Sequence, residues 1–290
     1  MNDQISFKRF LYGDGMEMTI NDEDFCIDRT LMLPKIHPHK LEKALSISAK
    51  YCQAADFRRK MIKKSNECPV LIYKLYKRRV LGFEEIEPFL RSNGSFLLSY
   101  YFWKEISDFT CLISKKYKPF GIDESFFENT NEIDQLIEYG YHPSSIEYCL
   151  KYDIVDDFKN INDLFQEAKW SPFEWSLKPE NLDLFSFSGF FGSIKCFKHF
   201  LMNGARVNDN ALSNVICSGC LDLFHLCNVI PMNSQCLCKA SMYFQLPLLV
   251  FYLENGADLH IRDRYVLHSN SKLLPSIMLH KMAILVSLSI

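Results

Sequence analysis

The chain predicts an all-α protein, a solenoid of stacked helix pairs preceded by a helical N-terminal region. Three observations predict it. Apolar residues recur at helical spacing, and no run alternates between hairpin turns as a strand would. Only 11 glycines and 11 prolines punctuate 290 residues. One segment is also written twice: Phe200-Leu201-Met202-Asn203-Gly204-Ala205-Arg206-Val207-Asn208 returns 52 residues later as Tyr252-Leu253-Glu254-Asn255-Gly256-Ala257-Asp258-Leu259-His260. Self-similarity at a fixed offset is the mark of a repeat architecture.

Before each copy runs one apolar stripe, Ile194, Phe197, Phe200 and Leu201 in the first and Leu246, Leu249, Tyr252 and Leu253 in the second. A fainter copy ends at Leu136-Ile137-Glu138-Tyr139-Gly140, its glycine 64 residues ahead of Gly204. Gly140, Gly204 and Gly256 fit a helix stop, where the chain turns through positive φ and a Cβ would clash. Halving the offsets gives units of about 26 to 32 residues, the period of a helix pair. The intermediate copy runs as a helix from Ala211 to Cys217, a turn at Gly219, and a second helix from Leu221 to Asn228 that Pro231 stops. Gly192 marks the same turn one unit earlier. Upstream, Ser145 to Tyr152 and Ile154 to Ala168 form another pair, with Pro143 just before its start. No pair can bury its apolar face alone, so such units stack. Four fit between Ser145 and Gly256, with a ragged fifth beyond Arg264.

Residues 1 to about 115 carry no visible repeat. Helices are expected at Leu41 to Met61, Pro69 to Val80, Ile86 to Phe89 and Phe96 to Ile113, with loops at His37-Pro38-His39 and Ser92-Asn93-Gly94-Ser95. The expected division is a helical region, 1–115, that caps an array of repeats, 116–290, whose last unit is incomplete.

The run Asp183-Leu184-Phe185-Ser186-Phe187-Ser188-Gly189-Phe190-Phe191-Gly192-Ser193-Ile194-Lys195-Cys196-Phe197-Lys198 resembles an ankyrin repeat. Ser188-Gly189 stand at its two small positions and Gly192 at its inter-helix turn. Asn203-Gly204-Ala205 and Asn255-Gly256-Ala257-Asp258 close two units, and Ala240-Ser241 supply the small pair of the later one. From Ile146 to Asp263 the chain resembles the divergent ankyrin-type proteins expanded in trichomonad and related protists. Ala168-Lys169-Trp170-Ser171-Pro172-Phe173-Glu174-Trp175-Ser176 and Gly192-Ser193-Ile194-Lys195-Cys196-Phe197 carry that likeness. The resemblance implies an ankyrin solenoid that binds proteins. The chain departs from the pattern in three places: Asp183-Leu184-Phe185-Ser186 lacks the usual Thr-Pro-Leu-His opening, the Ala211–Asn228 unit lacks its close, and Phe244 replaces a turn glycine.

Composition narrows the function classes. A net charge of −2 supplies no whole-molecule attraction to nucleic acid or anionic lipid. No stretch reaches the roughly 20 apolar residues of a membrane helix, and Ile277 to Ile290, interrupted by His280 and Lys281, is expected to be a core-seeking helix. The first residues show no signal peptide. Eleven cysteines, an odd number, suit free thiols in a reducing compartment, so a cytoplasmic location is expected.

No constellation for catalysis stands out. Cys217-Ser218-Gly219-Cys220 has C-x-x-C spacing, but the repeat frame already reads it as helix, turn, helix. Buried structural thiols are the expectation there, ahead of a metal site with Cys227, Cys236 or Cys238, and ahead of redox chemistry. His37-Pro38-His39 has no completing ligands, and Gly13-Asp14-Gly15 lacks the third glycine and the strand of a phosphate loop. Glu84-Glu85-Glu87 and Asp153-Asp156-Asp157 fall at expected helix starts, where carboxylates complement the dipole. The expectation is therefore no enzyme, no cofactor and no metal.

Two surfaces remain. Between Phe57 and Val80, nine cations (Arg58, Arg59, Lys60, Lys63, Lys64, Lys74, Lys77, Arg78, Arg79) face only Glu67 in sequence. A solvated helix face is the first reading of this run. An acidic partner surface is the second, and an electrostatic site for nucleic acid or anionic membrane is the alternative function. The second surface follows from the resemblance. Its positions before the turn glycine and its loop tips make contacts, which points to Phe190, Phe191, Arg206, Asn208, Asp209, His260, Arg262 and Asp263, with burial under a neighbouring unit as the competing reading for Phe190 and Phe191. Gly140, Gly192, Gly204, Gly219 and Gly256 shape the turns. The expected function is a protein-binding scaffold or adaptor whose partner is another protein.

Overall fold

The computed structural model describes residues 23–36, 40–92, 96–106, 130–156, 166–176, 178–179 and 182–227, together with single positions or pairs between 236 and 251. The described residues are helical, without a strand beyond one isolated bridge. The chain divides into two compact units, 1–141 with 171–177, and 142–170 with 178–290.

The first unit contains α1 (Glu23–Ile36), α2 (Leu41–Tyr51), α3 (Ala55–Lys63), α4 (Pro69–Lys77), α5 (Phe83–Ser92), α6 (Phe96–Tyr101) and α7 (Thr130–Tyr139). Its helices pack in two rows. α1 lies against α3 and α3 against α5, while α2 lies against α4 and α4 against α6. α2, α4 and α6 begin at positions 41, 69 and 96, intervals of 28 and 27 residues. That is the period of a helix pair, so the region in which the sequence shows no repeat packs as one. The core runs through Ile27, Leu45, Met61, Leu71, Ile72, Leu75, Leu98 and Phe102, and it includes Ile133 and Ile137 of α7.

Sequence boundaries shift here for local reasons. The expected helix from Leu41 to Met61 breaks at Cys52–Ala54, where neither glycine nor proline marks the turn. Arg58 of α3 donates to the Cys52 carbonyl at 2.7 Å, so the broken end is satisfied from the next helix. α1 was missed. Its amphipathic signal is weak, Pro34 stands in its last turn, and its buried side chains come from Ile27, Thr30, Leu31 and Pro34. α5 spans Phe83–Ser92 despite Pro88 inside it. α6 ends at Tyr101, and the chain then turns through Phe102 to Glu105.

The second unit contains α8 (Ile146–Lys151), α9 (Leu184–Phe191), α10 (Ile194–Met202), α11 (Asp209–Ser218) and α12 (Leu221–Leu226). α9 and α10 form one hairpin, and α11 and α12 form the next. α9 packs between α8 and α11, while α10 packs on α12, so the pairs are stacked first helix on first helix and second on second. Each first helix has a side-chain cap: Ser145 accepts from Tyr148 N, Asp183 from Ser186 N, and Asn208 from Ala211 N. Each then ends on a residue of positive φ, Asp153, Gly192 or Gly219. At Gly192 the closing bonds run from Gly192 N to Gly189 O and from Ser193 N to Ser188 O, a Schellman end that only a left-handed residue completes.

Small residues let the pairs approach. A Cβ on Gly189 would stand 3.0 Å from Val215 Cγ2 and 3.3 Å from Phe197. The aromatic core fills the remaining space, with Phe185 stacked on Phe197 at 4.4 Å between ring centres and edge-on to Phe200 at 5.9 Å. The described ends of the expected Ile154–Ala168 helix are not α-helical. Residues 166–168 run extended against 182–184 instead, with Ala168 N donating to Leu182 O and Leu184 N to Gln166 O.

Candidate partner-binding surface

The exposed ends of the stacked pairs are the surface that sequence reasoning singled out. After α10 the chain leaves through Asn203 and Gly204. Gly204 N donates to Leu201 O and Ala205 N to Phe200 O, and Gly204 has φ of +92°. The turn throws Arg206, Asn208 and Asp209 to the exposed surface. Asn208 has a structural duty there, because its Oδ1 caps α11 at 2.8 Å from Ala211 N. Arg206 and Asp209 are left pointing outward with opposite charges. Gly140, Gly192 and Gly219 also have positive φ. Gly256, His260, Arg262 and Asp263 lie outside the described residues.

Phe190 and Phe191 correct the expectation of aromatic contact anchors. They are 3% and 2% exposed. Trp170 meets Phe190 edge-on at 5.9 Å and stacks on Phe191 at 6.3 Å, and Tyr243 covers Phe190 from the following segment at 6.0 Å. Trp170 covers both rings. Their energetic role is core packing, of roughly 1.5–3 kcal/mol for each ring fully removed from water.

The basic run changes character once folded. Arg58 pairs with Glu85 at 2.9 Å, Lys74 with Glu138 at 2.6 Å and Arg59 with Asp56 at 3.5 Å, while Lys64 pairs with Asp28 and Arg78 with Glu42. Four of these five carboxylates come from other helices, 27 to 64 residues away. Sequence counting found only Glu67 because the opposing charges are tertiary neighbours. Among the described residues, no carboxylate pairs with Lys63, Lys77 or Arg79. Lys77 lies over the Tyr73 ring at 5.3 Å.

The cysteine motif sits at the end of α11. Cys217 is buried and Cys220 half-buried, and both are free thiols. Burial pushes the Cys217 thiol up to about 12, against smaller lowering by Lys239 and Tyr243. Such a thiol stays protonated and a poor nucleophile at neutral pH. Among the described residues, no group of three or more His, Cys, Asp or Glu side chains could hold a metal ion. No described helix is long and apolar enough to cross a membrane.

Two devices escaped the sequence. Asp153 was assigned to a helix start, but it closes α8 with φ of +57° and caps a different helix. Its carboxylate accepts from Lys195 N at 3.2 Å and from Cys196 N at 2.9 Å, the first turn of α10. Ser193, the residue before α10, does not cap it; its hydroxyl donates to Leu150 O of the preceding pair instead. Gln245 makes the equivalent reach one unit later, its Nε2 donating to Cys217 O at 2.7 Å beside Gly219.

The second device is a cryptic copy of the repeat in the first unit. α4 and α10 each have nine residues. Leu71, Ile72 and Leu75 are fully buried in α4, and Cys196, Phe197 and Phe200 occupy the same positions of α10, also fully buried. The closing bonds match as well, Arg79 N to Tyr76 O and Val80 N to Leu75 O. Arg79, with φ of +59°, therefore stands where Gly204 stands. A search for the glycine stop passes over an arginine. No family model, curated protein or solved structure matches the chain.

Proposed function

We propose that this protein is a non-catalytic scaffold or adaptor of ankyrin type, working in the cytoplasm, that binds another protein through the exposed tips of its stacked helix pairs. The observation that carries the reading is the stacking of α9 on α11 and α10 on α12, with each first helix capped at its start and closed through positive φ. Arrays of this kind present a preformed surface, so little conformational entropy is lost when a partner docks. Arg206 and Asp209, with Asn208 holding the loop between them, are the contact residues on the described part of that surface. His260, Arg262 and Asp263 belong to the corresponding stretch after Gly256 in the sequence. The protonated, buried thiol of Cys217 supports a structural role for the C-x-x-C segment.

The test is crosslinking mass spectrometry on complexes captured with the full chain from its own cell. Crosslinks are expected at the tips within 183–263, residues 203–209 among them. A complex without a crosslink there overturns the assignment.

A further inference from the structure

The geometry points to the basic tip Lys77-Arg78-Arg79 as a second contact point, one that takes a carboxylate-rich segment of a protein partner. The inference rests on the scaffold reading and adds the chemistry of the partner. Four observations carry it. The tip closes α4 with the same hydrogen bonds that Gly204 closes for α10, so it is a repeat tip by construction and not an arbitrary loop. Arg79 holds φ of +59° in the left-handed region, where a side chain is disfavoured and glycine serves without strain. All three side chains are exposed, and among the described residues none of the carboxylates that neutralise the rest of the run pairs with Lys77 or Arg79. Arg78 is engaged, but with Glu42, a side chain 70% exposed, so a partner carboxylate can exchange for it.

Non-glycine residues held in the left-handed region carry a strain cost and cluster at binding and switch sites. Arginine is suited to the use suggested here, since its planar fork binds a carboxylate through two parallel hydrogen bonds. Folding cancels much of the remaining charge between Phe57 and Val80. That leaves a compact cationic point in place of the long basic face that a polyanionic backbone or a membrane surface needs.

The experiment uses the full-length chain and three fluorescent or vesicle probes: a short glutamate-rich peptide, a single-stranded RNA of matched length, and vesicles containing phosphatidylserine. The wild-type chain is expected to bind the peptide most tightly, and Arg79→Lys, which keeps the charge but loses the fork, to bind it less tightly than wild type and more tightly than Arg79→Gly. Arg79→Gly is expected to weaken it by at least about fivefold while melting at a higher temperature than wild type, since the charge and the strain leave together. Higher stability with weaker binding cannot come from unfolding. Unchanged peptide binding by Arg79→Gly, or tighter binding of RNA or vesicles than of peptide, overturns the inference. If crosslinks at 203–209 persist in that event, the scaffold reading stands without it. If those crosslinks are missing, the scaffold reading falls whatever the peptide does.

Discussion

The carboxylate of Asp153 accepts the backbone N–H of Cys196 at 2.9 Å, joining the end of one helix pair to the second helix of the next. It does so from a left-handed backbone conformation, which aspartate tolerates better than most residues. One side chain thus terminates α8 and supplies the anionic cap that α10 lacks in its own sequence. Substituting Asp153 separates the two duties. Asp153→Ala loses the cap and keeps the strain, so the cap is the expected cost, about 1–2 kcal/mol. Asp153→Gly loses the cap but relieves the strain, so a smaller loss, under about 1 kcal/mol, is expected. Urea unfolding monitored by circular dichroism reads both. Equal losses would mean that the cap alone governs the junction and that the left-handed backbone adds no strain.

Gly204 and Gly219 share a positive φ but differ in surroundings. A Cβ on Gly204 meets nothing within 4 Å, whereas one on Gly219 would stand 2.0 Å from Gln245 Oε1. Gly204→Ala should cost only the backbone term, about 1 kcal/mol. Gly219→Ala should cost about 1 kcal/mol more, because Gln245 must release Cys217 O to make room. Thermal melts of the two variants should rank in that order, and the reverse order would refute the Gln245 contact.

Phe190 and Phe191 are core residues, so their loss should appear as unfolding. Each alanine substitution is expected to cost roughly 3–5 kcal/mol. A variant that keeps its melting temperature yet loses a partner would restore them to the contact surface.

Buried thiols make the fold sensitive to alkali. Burial raises Cys52, Cys68 and Cys217 to about 12 and Cys227 to about 11, from 9.0 for an ordinary thiol. An acid whose pKa is higher in the folded state releases its proton more readily when unfolded. The stability is therefore fully present below about pH 9 and drains away as pH rises towards the folded values. Unfolding midpoints should fall as pH rises beyond that point. Replacing Cys68 by alanine should shallow the fall, and an unchanged slope would exclude that thiol as a contributor.

Much of the second unit was legible in the residues. Gly192 and Gly219 read as stops, and the stripe through Phe197 and Phe200 as the buried side of a helix, because each acts through its immediate neighbours in the chain. The first unit hid the same plan. Its break at Cys52–Ala54 has no glycine or proline, and the close at the end of α4 carries Arg79. The pairing of Lys74 with Glu138 spans 64 residues, so no local window contains it.

The sequence by itself determined the all-helical class and, within α9–α12, the turns and the pairing of helices, since hydrophobic period and left-handed glycine are local chemistry. Tertiary structure alone decided that Phe190 and Phe191 face inward, that Asp153 caps a helix more than 40 residues away, and that a run of cations is mostly neutralised. The reason is physical. Burial and electrostatic pairing depend on which surfaces meet, and only packing brings distant segments within a few ångströms.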